Sequence, residues 1–301
     1  MQLSPVVLTL MIVGSSAYAA TTTPVEPFAH LAQGLWQGEI TATVKKGDTL
    51  SALGGRYGTT PKEIATFNAI DPTKKLRIGQ TIKIKYAHLI PSDLPEGITI
   101  NLPQRLLFHK SATKISSYAL GLGRPSWPTP IGKWTIANKQ EGKAWIVPKS
   151  IQAEMAREGK AVISRVPPGA DNPLGKYWLG LSMSGYGIHG TIAPSSIYHF
   201  QSHGCIRLHN DDIAELFASV EKGVTGSNNY WPILLEIQPN GHILLEVHPD
   251  IYRRHIDGRK ELQQLADAQK ISTRIDWKVA ESTLKAALGT PVDITLVAAK
   301  P

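Results

Sequence analysis

Apolar and polar positions alternate in different ways along this chain, and each change marks a boundary. Residues 5–13 are apolar apart from Thr9 and are followed by Ser15-Ser16-Ala17-Tyr18-Ala19, a small-residue site of the A-x-A kind. The run is well short of the roughly 18 to 20 residues that span a bilayer. Residues 1–19 therefore read as a secretory signal cleaved after Ala19. An uncleaved anchor is the alternative, because no Lys or Arg precedes the run. Residues 20–40 are Thr-rich and then irregular, and read as a linker or lead-in.

Residues 42–86 carry two helical patterns between two strand-like ends. Val44 precedes the turn Lys46-Gly47-Asp48, and Asp48 or Thr49 opens a helix with Leu50, Leu53 and Tyr57 on one face. Thr60-Pro61 opens a second helix, with proline at the first helical position, carrying Ile64, Ala65 and Phe67 and stopping near Asn68. Leu76, the turn Ile78-Gly79-Gln80 and the alternating Thr81-Ile82-Lys83-Ile84-Lys85 close the unit as a strand. The pattern predicts a small βααβ unit, followed by a linker at Pro91-Ser92-Asp93-Leu94-Pro95.

From Ile98 the period shortens to that of strands. Ile98-Thr99-Ile100-Asn101-Leu102 and Arg105-Leu106-Leu107-Phe108 read as a hairpin around Pro103-Gln104. Further strands are expected at 115–122, 132–137, 144–147, 177–182, 233–237 and 242–247, with Pro239-Asn240-Gly241 as the turn between the last two. One helix interrupts them. Asn210 is the expected N-cap, Asp211 and Asp212 favour its first turn, and Ile213, Leu216, Phe217 and Val220 form the core stripe. The fold class is mainly β: a β-sandwich-like or barrel-like domain over 97–238, behind the small βααβ domain. A helical C-terminal extension covers 256–301, with helices at 260–268 and from Asp276 to a stop at Gly289, and a strand at 291–296.

The chain has 301 residues, enough for two domains with extensions, and a formal net charge of +8. A basic surface suits an anionic partner, but no Lys/Arg run is long enough to indicate nucleic acid. Cys205 is the single cysteine, so an exported chain would have no internal disulfide and one leftover thiol. Around it runs Ser202-His203-Gly204-Cys205-Ile206-Arg207-Leu208-His209-Asn210, with Tyr186-Gly187-Ile188-His189-Gly190-Thr191 upstream. A thiol attacks as thiolate, which a nearby imidazole or positive charge favours. A turn from strand to helix just after Cys205 would point backbone N–H groups at one spot, as an oxyanion hole requires. On chemistry alone three readings stay open: a catalytic thiol, a zinc site built from His199, His203, Cys205 and His209, and a buried structural cysteine.

The unit at 42–86 resembles a LysM module through Val44, Gly47-Asp48-Thr49-Leu50, Tyr57, Asn68, Leu76, Gly79-Gln80 and Ile82 with Ile84. The stretch His189-Gly190-Thr191, then Ser202-His203-Gly204-Cys205-Ile206-Arg207-Leu208, resembles the signature of L,D-transpeptidase catalytic domains of the YkuD/ErfK type. Pro128-Thr129-Pro130-Ile131-Gly132-Lys133-Trp134 adds to that likeness. The resemblance implies an exported enzyme of the periplasm or cell envelope that binds peptidoglycan. Its cysteine would form a thioester with a tetrapeptide stem, release D-alanine and pass the acyl group to an amine. That amine could give a 3→3 cross-link or anchor an envelope lipoprotein. The implied roles are Cys205 as nucleophile, His189 as base with a ring nitrogen held by a carbonyl near Gly190, and His203 and Gly204 in the oxyanion turn. Arg207, Ser202 and Tyr186 are implied as substrate-binding residues. No metal or other cofactor is implied. The alternatives are a non-catalytic peptidoglycan-binding protein and a zinc-dependent hydrolase of cell-wall peptides.

Overall fold

A computed structural model describes residues 27–297. The expected signal at residues 1–19 lies outside them. Among the described residues no helix is long and apolar enough to cross a membrane.

The N-terminal part is one long hairpin with two helices at its tip: β1 (Ala29–Thr43), α1 (Leu50–Gly55), α2 (Pro61–Phe67) and β2 (Thr81–Pro91). Thr49 caps α1 by accepting from the Ala52 N–H. Thr60 and Glu63 exchange hydrogen bonds in a capping box at the start of α2, with Pro61 in the first turn. Val44, Leu50, Ile64, Ala65, Ile82 and Ile84 make the unit's own small core. Asn68 clips the end of α2 to β2, bonding both the N–H and the C=O of Lys83.

The first expected linker is strand β1 from Ala29 onward, and the second, past Pro91 at the end of β2, is an irregular but packed connection. From Leu35 to Thr43, β1 pairs antiparallel with β2, and Ala32 still pairs with Pro91 beyond a register shift. Most β1 side chains are half-exposed, so the segment lacks the apolar alternation by which a strand is recognised. In the second expected linker, Leu94 is buried against Leu106, Phe108, Ala119, Ile197 and Tyr198. The βααβ unit is therefore continuous with the rest of the molecule.

The middle of the chain runs β3 (Gly97–Asn101), β4 (Leu106–Lys110), β5 (Ile115–Ala119), β6 (Leu122–Gly123), β7 (Gly132–Glu141), β8 (Trp145–Ile146), α3 (Lys149–Arg157), β9 (Arg165–Val166), β10 (Tyr177–Leu181), β11 (Gly187–His189), β12 (Phe200–Ser202), β13 (Ile206–Arg207), α4 (Asn210–Ser219) and β14 (Thr225–Asn229). Eight of these strands form one sheet in the order β13-β11-β10-β7-β14-β3-β4-β5. Just after β5, Gly121 bridges back to Arg207 of β13, so the sheet curls until its edges meet. Ile98, Ile100, Trp134, Ile136, Leu179, Ile188 and Ile206 fill it, and α4 adds Ile213 and Leu216.

Strand β14, Thr-Gly-Ser-Asn-Asn, was not expected from the pattern, yet it sits centrally between β7 and β3. Gly226 leaves the space that the Trp134 ring occupies, and Asn228 accepts from the Trp134 indole N–H at 2.9 Å. Asn210 is not the N-cap of α4, as expected, but its first residue. Its amide is occupied elsewhere, accepting from the Thr191 N–H at 2.9 Å and donating to the Thr191 C=O at 3.0 Å.

The chain ends with β15 (Ile233–Ile237), β16 (Ile243–Val247), α5 (Gly258–Ala268), α6 (Trp277–Ala286) and β17 (Val292–Asp293). β15, expected inside the 97–238 domain, lies with β16 in a second sheet of order β17-β16-β15-β1-β2. Helices α5 and α6 roof it, with Leu262, Ala266 and Ala280 packed on Ala29, Ile233, Leu235 and Leu245. The C-terminal extension thus covers the sheet that joins the N-terminal hairpin to the rest.

A buried polar cluster fastens that junction. His88 of β2 places Nδ1 3.0 Å from Glu246 Oε1 of β16 and donates from Nε2 to the Gly58 carbonyl at 2.7 Å. Glu246 also accepts from Gln104, from His248 at 2.7 Å and from the Leu89 N–H. His88, Glu246 and His248 are all essentially without solvent contact.

Candidate active site

A cleft of about 650 Å³ opens beside β10 and β11, walled on its far side by α3 and β8. Cys205, His189, His203, Arg207, Tyr186 and Ser202 all line it. His199 and His209 do not. His199 bonds Ser51 of α1 at 2.8 Å, and His209 caps the backbone start of α4 near Arg56. The histidines close to Cys205 in sequence are thus split between the cleft and the seam with the βααβ unit. The donor set considered for zinc is not assembled. Among the described residues, the cluster with metal-ligating atoms close together is His88, Glu246 and His248 at the junction.

His189 ends β11, buried, with the Trp178 ring stacked on it at 5.8 Å between centroids. Gly187 makes room for that indole, since a Cβ there would lie 2.4 Å from it. His189 Nδ1 donates to the Gly190 carbonyl at 2.7 Å, which leaves Nε2 as the nitrogen with a lone pair. Gly190 must itself be small, because a Cβ would lie 2.3 Å from Asn210 Oδ1.

Cys205 sits in a tight loop between β12 and β13, and β13 separates it from α4, which starts at Asn210. Gly204 has φ +98° and packs against Tyr186, two constraints that exclude a side chain. Ser202 is buried. Its hydroxyl accepts from the Gly204 N–H at 3.1 Å and donates to the Cys205 C=O at 2.6 Å. Ser202 therefore shapes the loop from within at the edge of the cleft, and the Gly204 N–H is already engaged. Thr129 locks the same loop from the other side, donating to the Gly204 C=O at 3.0 Å. The Cys205 thiol faces the cleft and points at the Gly185 carbonyl, 3.8 Å away.

In the far wall, β8 lies within the strand expected at 144–147, whereas α3 was not expected. Residues 142–175 form a flap that holds β8, α3 and β9, and Asn172 ties its base by donating to the carbonyls of Lys143 and Pro167. From α3, Glu154 reaches His203 Nε2 at 2.5 Å and also pairs with Arg124. Trp127 meets the His203 ring edge-on at 5.0 Å. Helix α3 buries none of its residues fully, and its apolar face is reduced to Ile151 and Met155, too short a stripe for a helix to be read from it.

A family model for the L,D-transpeptidase catalytic domain matches residues 95–241, and one for the LysM domain matches residues 42–85. The chain is 31% identical over 224 residues to the probable L,D-transpeptidase ErfK/SrfK of Salmonella typhimurium, covering 72% of each. It is 29% identical to the probable L,D-transpeptidase YcfS of Escherichia coli K12, covering 82% of this chain and 81% of that one. Against the probable L,D-transpeptidase ErfK/SrfK of the same strain it is 27% identical over 301 residues, 95% of this chain and 94% of the relative.

The chain belongs to the L,D-transpeptidase family.

Within this L,D-transpeptidase the resting charges differ from those the sequence suggests. Burial pushes the Cys205 thiol up, with the Gly187 backbone and Arg207 opposing it. Burial, followed by Arg207, holds His189 down at about 4, against the pull of the Gly190 and Leu174 carbonyls. At neutral pH the pair is a thiol and a neutral imidazole, not a preformed thiolate and imidazolium. Alkylation of Cys205 by iodoacetamide should therefore still be rising at pH 9, beyond the roughly 8.5 of a free cysteine. Arg207→Gln should move the profile higher, since it removes a charge that favours thiolate. A plateau between pH 6 and 8 would show that the ion pair exists at rest.

Proposed function

We propose that this L,D-transpeptidase acts on peptidoglycan in the cell envelope, with Cys205 as nucleophile and His189 as its base. One observation carries the reading: the chain's single thiol opens into the same cleft as an imidazole whose Nδ1–H is locked to a carbonyl, leaving Nε2 to accept a proton. The Cys205 proton passes to His189 Nε2 as the sulfur bonds the carbonyl carbon of the third residue of a tetrapeptide stem. Backbone N–H groups of the loop, the Cys205 N–H foremost, stabilise the oxyanion. The amide C–N bond then breaks, the proton goes to the departing D-alanine amine, and a thioester remains. An acceptor amine attacks that thioester, gives its proton to His189 and expels the sulfur. The acceptor is a neighbouring stem or the lysine of an envelope lipoprotein. Arg207 grips a substrate carboxylate. Tyr186 lines the cleft beside the nucleophile, and the LysM module holds the glycan strand.

The test is intact-protein mass spectrometry after mixing with a soluble tetrapeptide stem. The expected product is one adduct with the mass of the tripeptidyl group, blocked by iodoacetamide and unaffected by a chelator. No adduct on an alkylatable thiol would overturn the reading.

The LysM role has its own test, and the fold dictates its design. Removing residues 42–86 outright would unzip β1 from β2 and extract much of the second sheet. Replacing 44–80 by a two-residue turn keeps that pairing. We expect this variant to lose co-sedimentation with sacculi while turning over soluble stems within about threefold of the parent. Undiminished co-sedimentation would remove the module from the glycan-binding role.

A further inference from the structure

Helix α3 forms one wall of the cleft, yet it buries none of its residues fully. What fastens it to the loop that carries Cys205 is Glu154. Its carboxylate accepts from His203 Nε2 at 2.5 Å through one oxygen and pairs with Arg124 through the other. Arg124 Nη2 lies 3.2 Å from the same His203 nitrogen. A guanidinium only donates. The Arg124 and His203 pairings with Glu154 hold its carboxyl at about 2, so at neutral pH it only accepts. His203 Nε2 must then carry a hydrogen, and two donors stand side by side because both point at one carboxylate. The backbone of Arg124 is part of the same assembly, its N–H donating to the Ser202 C=O at 3.0 Å. Ser202 in turn folds the loop through Gly204 and Cys205.

We propose that Glu154 is a positioning residue for acyl transfer, latching the flap to His203 and Arg124 and so fixing both the aim of the Cys205 loop and the closure of the cleft over the donor stem. The proposal rests on Cys205 being the nucleophile. Without the carboxylate, the Arg124 guanidinium and the His203 N–H repel each other. The ring must then turn or move its hydrogen to Nδ1, and the tip of the flap loses its tie. A peptide that needs both walls is misplaced by this. A small reagent that needs only the sulfur is not, because Glu154 does not touch the thiol.

The experiment compares the parent chain with Glu154→Gln and Glu154→Ala. Single-turnover acylation by a soluble tetrapeptide stem should slow roughly tenfold in Glu154→Gln and further in Glu154→Ala, with donor KM raised. Iodoacetamide alkylation of Cys205 should stay within about twofold of the parent. Amide exchange across residues 149–157 should speed up. Acylation within about twofold of the parent in both variants would overturn the proposal. So would alkylation falling in step with acylation, since the loss would then lie in the thiol itself. A parent chain that is alkylated but never acylated would overturn the acyl-transfer reading instead.

Discussion

Cys205→Ala is expected to lower release of D-alanine from tetrapeptide stems by more than about 10³-fold while leaving sacculus binding unchanged. The chain contains no second thiol that could substitute. The hydroxyl of the same loop, Ser202, is buried and has both hydrogen-bonding directions committed within the loop. His189 alone, neutral and tied to Gly190, offers nothing that forms a thioester. Alanine fits the site, because it is smaller than cysteine and the backbone loop is held by Ser202 and Thr129, and the LysM core is separate from it. Parallel assays of D-alanine release and co-sedimentation check both halves. Turnover retained by the variant would place the nucleophile elsewhere.

The largest effect on stability is expected at the junction. His88→Ala removes the ring that links Glu246 to Gly58 and leaves a carboxylate buried with less compensation, at a cost of about 3–5 kcal/mol. Burial alone would push the Glu246 carboxyl up, but His88 and His248 outweigh it and hold it down at about 2. A carboxyl depressed in the folded state contributes stability above its unfolded value, near 4.3, and loses it as pH falls towards 2. The parent should therefore keep this contribution down to about pH 4, whereas His88→Ala should weaken already at neutral pH. Adding Glu246→Gln to His88→Ala should recover part of the loss, because the charge left stranded is gone. Urea unfolding of the four proteins of that cycle measures it. A His88→Ala midpoint equal to the parent's would show that the cluster contributes nothing to the junction.

Local rules read the βααβ unit well because its signals are local: Thr49 and Thr60 cap their helices, Pro61 sits in a first turn, and Ile82 and Ile84 alternate with lysines. Cys205 with His189 was legible for another reason, as the one thiol near an imidazole at a glycine. What failed was everything decided by distant partners. β1 has half-exposed side chains and becomes a strand only because β2 and β15 lie beside it. β14 is polar because Trp134 fills the space above it. Asn210, a good cap by type, is drawn away by Thr191. His199, close to the cysteine along the chain, is turned towards Ser51, and Glu154 reaches the site across the cleft from a helix with no fully buried residue.

The β1–β2 hairpin also sets how the enzyme can travel. Its eleven-residue second strand is on the order of 35 Å long, hydrogen-bonded along most of its length, and braced at the tip by Arg56 against Asp211 and Asp212 of α4. A flexible tether would let the thiol sweep a sphere around a captured strand. This strut gives it one radius and one bearing. If the module holds glycan as proposed, each grip presents a single stem to Cys205, and reaching the next requires letting go. On intact sacculi the rate of release from the polymer, more than bond making in the cleft, would then set the pace, and an enzyme that grips more tightly would work more slowly.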